Sequence, residues 1–433
     1  MNSGMLTDRG LKQTIDWRLI IVYILLVLIG WVNIYAAIHS SEPSSIIDFR
    51  YRCGSQFIWI MSGLVLAIFI LFVFNPHYWE VMSLPMYLIV FVLLVVVRFV
   101  SKDINGSHSW FQFGGISFQP AEISKISTSL LLATVLSKQN MDLSKFGNLL
   151  KAACVLLLPM AAIILESETG SALVYVGFIF VLYREGMSGW YLVLIGAAIA
   201  IFLLTLTTNW WISLIVCTAV AGAFIAWILV HFRKENKMRR RMWMRNTILS
   251  AVAAGALIFA TDFLFHKVLQ DHQRGRIEVL LGLKDDPTGL GYNVRQSLIA
   301  IGSGGFSGKG FLGGTQTAYG FVPEQSTDFI FCTIGEEWGF VGCSVVVLLY
   351  VLLIWWIISD ADKSREAFTR IYGYCVASCL FMHLFINVGM TIGIMPVIGI
   401  PLPLISYGGS SLWTFTAMIF IFIALNRQEN KYF

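Results

Sequence analysis

Apolar stretches of about 20 residues recur along this chain, parted by short polar or charged links. Wound as a helix, a run of that length matches the hydrocarbon thickness of a bilayer. The pattern predicts spans near 18–38, 55–74, 78–99, 120–137, 148–165, 169–183, 189–207, 210–231, 246–265, 338–358, 371–394 and 407–426. Pro120 suits the start of the fourth span, where its missing N–H costs nothing. One long polar interruption lies at 266–336. The fold class is therefore an all-α polytopic membrane protein of about 12 helices. It forms one integral domain over 1–433, with 266–336 as a large extracytoplasmic loop.

Composition agrees. Of 433 residues 57% are hydrophobic and 13% charged, and the mean hydropathy is +0.75; ordinary soluble domains are far more polar. Nothing points to nucleic acid. Seven cysteines are scattered, and Cys375 and Cys379 alone share a helical face. Without His partners at ligand spacing they do not read as a zinc site. The first apolar run is long enough to span, so no cleavable signal peptide is required.

The net charge of +5 matters less than where the cations sit. Cations stay cytoplasmic in short loops. With the N-terminus inside, Arg9, Lys12, Arg18, Lys138, Lys145 and Arg184 fall inside. So do the basic link from Arg233 to Arg245 and, near the end, Lys363, Arg365, Arg370, Arg427 and Lys431. Both termini are then cytoplasmic, and 266–336, 100–119, 166–168 and 395–406 lie outside. Arg50 and Arg52 are minor exceptions.

The chain is organised around Gly302 to Gly339, a polar, glycine-rich stretch inside apolar surroundings. Glycine there implies tight turns and close backbone approach. Asp328 is the leading candidate for a working residue in it. The alternative is that Thr327 or Asp328 merely caps the helix that follows. Glu122 and Lys125 are three apart and share one face of the fourth span. They read either as functional charges or as a buried ion pair fixing helix packing. Glu166, Glu168 and Asp262 read as interfacial. His383 and Asn387 share a face of the eleventh span and read as packing hydrogen bonds. The Gly/Pro-rich run Asn387–Ser411 is a second irregular element, tolerated at that depth only if buried in protein or lining a cavity. All these elements lie on the outer side.

There is no Walker loop, His-Glu-x-x-His, dinucleotide fingerprint or Gly-x-Ser-x-Gly elbow. The outer face has no nucleotide pool, so an enzyme there needs a substrate that arrives activated. A lipid-linked sugar diphosphate fits. Asp328 could take a proton from the attacking sugar hydroxyl. Lys309, Lys125 or Arg295 could offset charge on the departing diphosphate.

Long, ordered motifs then carry a family resemblance. They are Gly291-Tyr292-Asn293, Ala300-Ile301-Gly302-Ser303-Gly304-Gly305, Gly308-Lys309-Gly310-Phe311-Leu312-Gly313-Gly314-Thr315-Gln316, Pro323-Glu324, Thr327-Asp328-Phe329-Ile330-Phe331 and Gly335-Glu336-Glu337. Phe118-Gln119-Pro120-Ala121-Glu122 with Lys125, and Ile398-Gly399-Ile400-Pro401-Leu402-Pro403 with Ser406-Tyr407-Gly408-Gly409-Ser410, belong with them. Over nearly its whole length the chain resembles the SEDS family (shape, elongation, division and sporulation), and its rod-shape branch more than its division branch.

The resemblance implies a peptidoglycan glycosyltransferase that polymerises lipid II at the outer face of the bacterial cytoplasmic membrane, for cell elongation. It implies a class B penicillin-binding protein as partner, with lipid II, nascent glycan and other elongation-complex membrane proteins. The family's essential aspartate falls on Asp328, and its functional Glu and Lys on Glu122 and Lys125. On this reading Lys125 and Lys309 contact the diphosphate and Glu122 orients Lys125. Arg295, Glu324 and Ser406 are further substrate-binding candidates. An α-linked donor and β-linked product imply inversion. No cofactor is specified; a divalent cation, Mg or Mn, could neutralise the diphosphate, but no ligand cluster marks one. The rivals are a lipid II flippase, which predicts essential charges at both faces, and a non-catalytic scaffold for a penicillin-binding protein.

Three positions depart from the family pattern. Ser326 stands where a His is usual, and Ser109 where an Arg usually precedes Trp110. Glu166-Ser167-Glu168-Thr169-Gly170-Ser171 replaces a typical Gln-Pro-Asp-Leu-Gly-Thr. The family usually has ten spans, so the pair near 210–231 and 246–265 reads as inserted.

Overall fold

A computed structural model describes residues 15–39, 45–101, 109–113, 116–139, 141–231, 237–268, 274–275, 278, 281, 283 and 291–429. Arg9, Lys12, Arg233, Lys234, Lys431 and most of 269–290 lie outside the described residues. The chain divides into two compact units, Met1–Met187 with Asn293–Phe433, and Ser188–Tyr292.

The larger unit holds α1 (Trp17–Ala37), α2 (Arg52–Ile68, continued by a π turn to Val73), α3 (His77–Val100), the hairpin β1 (Phe111–Phe113) and β2 (Ile116–Phe118), α4 (Pro120–Leu136) and α5 (Phe146–Leu165). The smaller unit contributes α8 (Trp190–Thr207), α9 (Trp210–His231) and α10 (Lys237–Phe263). The larger unit also holds α6 (Thr169–Val174) and α7 (Phe178–Arg184). The chain closes with α11 (Tyr292–Gly304), α12 (Ile330–Lys363), α13 (Ala367–Thr391) and α14 (Gly409–Glu429).

Helices stand at all the expected spans, but not all are long enough to cross a membrane. Among the described residues ten helices have the length and apolar character to do so. The two that fall short have local causes. The helix α4 has 17 residues, and its buried face is polar with Glu122, Ser124, Lys125, Ser127, Thr128 and Ser129. The stretch 169–184 is interrupted by a 3-10 turn at Tyr175–Gly177. The expected loop 266–336 is also partly helical, since α11 lies inside it. The expected start at 246 moves back to Lys237, so much of the basic link is helical.

The core of the larger unit is built on α13 and α14, which are buried almost throughout. The helix α13 packs on α12, α4 and α14, and α14 packs on α2. Because both are enclosed on nearly every side, their polar side chains, such as His383 and Asn387 on α13 and Thr414 and Thr416 on α14, lie inside the bundle.

The glycines of 302–339 have a specific use. Gly339 breaks α12 with φ 63° and ψ −158°. A break frees backbone groups that must be paired inside an apolar bundle. The chain leaving α11 supplies those pairs. Lys309 N and Gly310 N donate to the carbonyls of Glu336 and Glu337 at 3.0 and 2.9 Å. In return Phe340 N and Val341 N donate to Gly305 O and Phe306 O at 3.0 and 3.2 Å. So close an approach leaves no room for side chains. A Cβ on Gly304 would lie 2.0 Å from Gly335 O, and one on Gly308 would lie 2.1 Å from Glu337 O.

Gly304→Ala is therefore expected to cost about 3 kcal/mol, the top of the usual overpacking range. Gly302→Ala, where a Cβ meets nothing within 4 Å, should be neutral or stabilising by about 0.5–1 kcal/mol. Thermal unfolding in detergent separates the two. Equal losses would mean that close approach is not the constraint.

Candidate functional site

Asp328 sits just before α12, but it does not cap it. The N-cap position is Phe329, and no side chain bonds to the helix end. Thr327 Oγ1 instead donates within its own loop, to Glu324 Oε2 at 3.0 Å. The capping alternative for Thr327 and Asp328 is thus removed.

Three elements hold Asp328 in place. From α13, the buried Asn387 donates through Nδ2 to Asp328 O at 2.8 Å and to Ile400 O at 2.7 Å. From the 395–406 segment, Ser406 Oγ donates to Thr327 O at 2.6 Å and accepts from Leu402 N at 2.8 Å. Tyr407 N donates to Ser326 O at 2.9 Å. Gly399, at φ +75°, faces the carboxylate, and a Cβ there would stand 3.3 Å from Asp328 Oδ2. Gly170, in the first turn of α6, packs against Ile398 and Ile400 behind it.

Asp328 is only partly exposed. Burial pushes its carboxyl up to about 7, and the nearby negative charges of Glu324 and Glu168 add to the rise. Glu168 is partly exposed and accepts from Ser109 Oγ at 2.6 Å. Glu166, expected at an exposed interface, is instead 0% exposed; burial, with Glu168 adding, pushes its carboxyl up to about 8.

The charges expected to meet a diphosphate are placed differently from one another. Lys125 is 0% exposed and Glu122 3%. The Lys125 ammonium donates to Glu122 Oε1 at 2.7 Å and to His383 Nε2 at 2.9 Å, and sits 5.4 Å from the Phe415 ring centre. The Pro401 carbonyl, 3.0 Å from His383 Nδ1, can only accept. The proton is therefore on Nδ1, and Nε2 offers its lone pair to Lys125. This chain ties α4, α13 and the 395–406 segment together. It matches the packing reading of Glu122 and Lys125.

Lys309 is bound up in the same way. Its ammonium reaches Glu336 Oε1 at 2.7 Å and Thr315 Oγ1 at 2.8 Å. The Glu336 carboxylate also accepts from the backbone N–H groups of Thr315, Gln316 and Thr317 at 2.7–2.9 Å. Arg295 is exposed on α11. Among the expected binding residues, Glu324 and Ser406 are in the Asp328 loop or bonded to it.

The sequence reading passed over Arg52. Its guanidinium donates to Ser326 Oγ at 2.6 Å, lies 3.6 Å from Glu324 Oε2 and stands 5.6 Å from the Tyr407 ring centre. The available signal was that the expected topology sets this cation on the outer side. Asn387 and His383, expected to make packing hydrogen bonds, do so. Among the described residues no three His, Cys, Asp or Glu side chains converge as a metal-ligand set.

Comparison with known proteins is consistent along the whole chain. Residues 16–226 and 217–431 match the family described as FtsW/RodA/SpoVE, cell cycle protein. The chain is 32% identical over 443 residues to the peptidoglycan glycosyltransferase RodA of Treponema pallidum, covering 97% of this chain and 99% of that one. It is 32% identical over 354 residues to the peptidoglycan glycosyltransferase MrdB of Escherichia coli, covering 82% and 80%. Among solved structures it resembles a chain from a peptidoglycan synthase complex that coordinates polymerization and crosslinking. That match has a TM-score of 0.67 at 26% identity and covers 96% and 98%. The fold also matches the rod shape determining protein RodA of Thermus thermophilus, with a TM-score of 0.58 at 22% identity, over 96% and 97%.

Removing one member of a buried ion pair typically costs about 3–5 kcal/mol, because the other charge is left stranded. Lys125→Met is expected to lose stability on that scale, and Glu122→Gln with Lys125→Met much less. Unfolding midpoints of the single and double variants check this. Purely additive losses would show that the two charges are not coupled.

Proposed function

Because this chain belongs to the FtsW/RodA/SpoVE family of cell cycle proteins and is a multi-pass membrane peptidoglycan glycosyltransferase, we propose that Asp328 is its general base and lipid II its substrate. The carboxylate takes the proton from the GlcNAc 4-hydroxyl of an acceptor lipid II. That oxygen forms a bond to the MurNAc anomeric carbon of the growing chain. The bond from that carbon to the diphosphate breaks, and undecaprenyl diphosphate leaves with the electron pair. The configuration inverts, so no covalent enzyme intermediate is needed.

The observation that carries this reading is the setting of Asp328. A carboxyl held near neutrality by burial and by Glu324 and Glu168 is matched to accepting a proton at physiological pH. It sits in a loop whose backbone is pinned by Asn387 and Ser406, so the base is held in place before substrate arrives. Lys125 and Glu122 act as the buried brace behind this loop. Lys309 braces the glycine-rich segment through Glu336.

The site lies at the outer face of the cytoplasmic membrane, with both termini inside. Ion pairs such as Arg184–Asp362 and Arg370–Glu185 gather at the end of the bundle opposite Asp328, in keeping with the excess of cations expected there. The partner is a class B penicillin-binding protein that cross-links the strands, within the elongation machinery.

The test uses the purified chain with its cognate class B partner and labelled lipid II, resolving glycan strands on a gel. Wild type should make polymer. Asp328→Asn should make none while still folding and binding the partner. Polymer from both would remove Asp328 as the base, and none from a stable wild-type complex would point to a transporter or scaffold.

A further inference from the structure

The loop around Asp328 carries an electrostatic imbalance. Asp328, Glu324 and Glu168 are all acidic, and the latter two lie close enough to raise the Asp328 carboxyl. A lipid-linked diphosphate is itself an anion. It would be repelled here unless a cation stood at the same place. The two lysines expected to supply that cation are occupied. Lys125 is fully enclosed by Glu122, His383 and Phe415, and the Lys309 ammonium is spent on Glu336 and Thr315.

Arg52 meets the requirement. It opens α2, on the same end of the bundle as Asp328, and hydrogen-bonds Ser326, two residues before Asp328. Tyr407 lies under its guanidinium, and such stacking orients the planar fork. The side chain is 46% exposed, so donors remain available to a ligand. Its ion pair with Glu324 is 3.6 Å long and more than half exposed on the Glu324 side, a weak contact that an incoming anion can displace. Arg52 is also a cation on the outer side, against the usual distribution, and this placement is explained if it has work to do there.

The geometry points to Arg52 as the group that binds the diphosphate of the lipid-linked sugar, by a forked pair of N–H donors, with Ser326 and Tyr407 holding the guanidinium in place. A guanidinium suits this task because its planar donors match two phosphate oxygens at once. The inference rests on the proposed substrate class, and its test does not require turnover.

The probe is undecaprenyl diphosphate, with uncharged undecaprenol as control, titrated into the full chain in lipid nanodiscs. Arg52→Ala is expected to weaken undecaprenyl diphosphate binding at least about tenfold and leave undecaprenol within about twofold. Arg52→Lys should recover part of the loss, since it restores the charge but not the fork. An equal loss for both lipids in Arg52→Ala would reduce Arg52 to a structural clamp and overturn the assignment. Unchanged diphosphate binding, or a wild type that does not distinguish the two lipids, would also overturn it. Selective loss in Arg52→Ala from a protein that makes no polymer would uphold the diphosphate site while contradicting the polymerase reading.

Discussion

Backbone that departs from helical geometry inside an apolar bundle must find a partner for every freed N–H and C=O. The rest of this structure depends on how that is met at two breaks. At Gly339 the glycine-rich chain from α11 pairs with α12 directly, and Glu336 gathers the next three N–H groups along with Lys309. Between α13 and α14, Asn387, His383 and Ser406 take up the carbonyls and amides of the 395–406 segment. Asp328 lies where the two repairs meet. Its backbone is bonded by Asn387, and its carboxylate faces Gly399. The site is thus fixed by the same bonds that make the breaks tolerable.

Charge follows a division of labour. Lys125 and Glu122 are buried together and paired with each other, so they contribute position. Asp328 is the reverse, an acid kept in a setting that resists its ionisation. A carboxyl held near 7 is a stability burden at neutral pH, since folding raises the cost of its charge. That such a group stands in a loop so heavily pinned is in keeping with strain retained for chemistry.

Much of the architecture was legible in the hydrophobic pattern, because a span needs only length and apolar character. The glycine-rich stretch was also legible as a place of close approach, and the backbone pairing at Gly339 is what it approaches. Helix ends were less so. The helix α4 is polar on a buried face and short, and its sequence reads as an ordinary span. The least legible features are partners far apart in sequence. Lys125 meets His383, and Arg52 meets Ser326, across more than 250 residues. No spacing rule announces such a meeting, so the His383 partner of Lys125 could not be read from the sequence, and Arg52 was set aside as an exception to the placement of cations. Ser326, noted as a departure from the family pattern, is the residue Arg52 binds.

The central claim is that Asp328 works as a base because its surroundings hold its carboxyl near neutrality. The most direct measurement is kcat/KM for glycan polymerisation against pH, for wild type and Glu324→Gln. Wild type should lose about tenfold per pH unit below about 7 and level off above it, since the base must be ionised. Glu324→Gln removes a charge that raises the Asp328 carboxyl, so its acid limb should move to lower pH. A profile flat through the neutral range, or an acid limb unmoved by Glu324→Gln, would contradict the account.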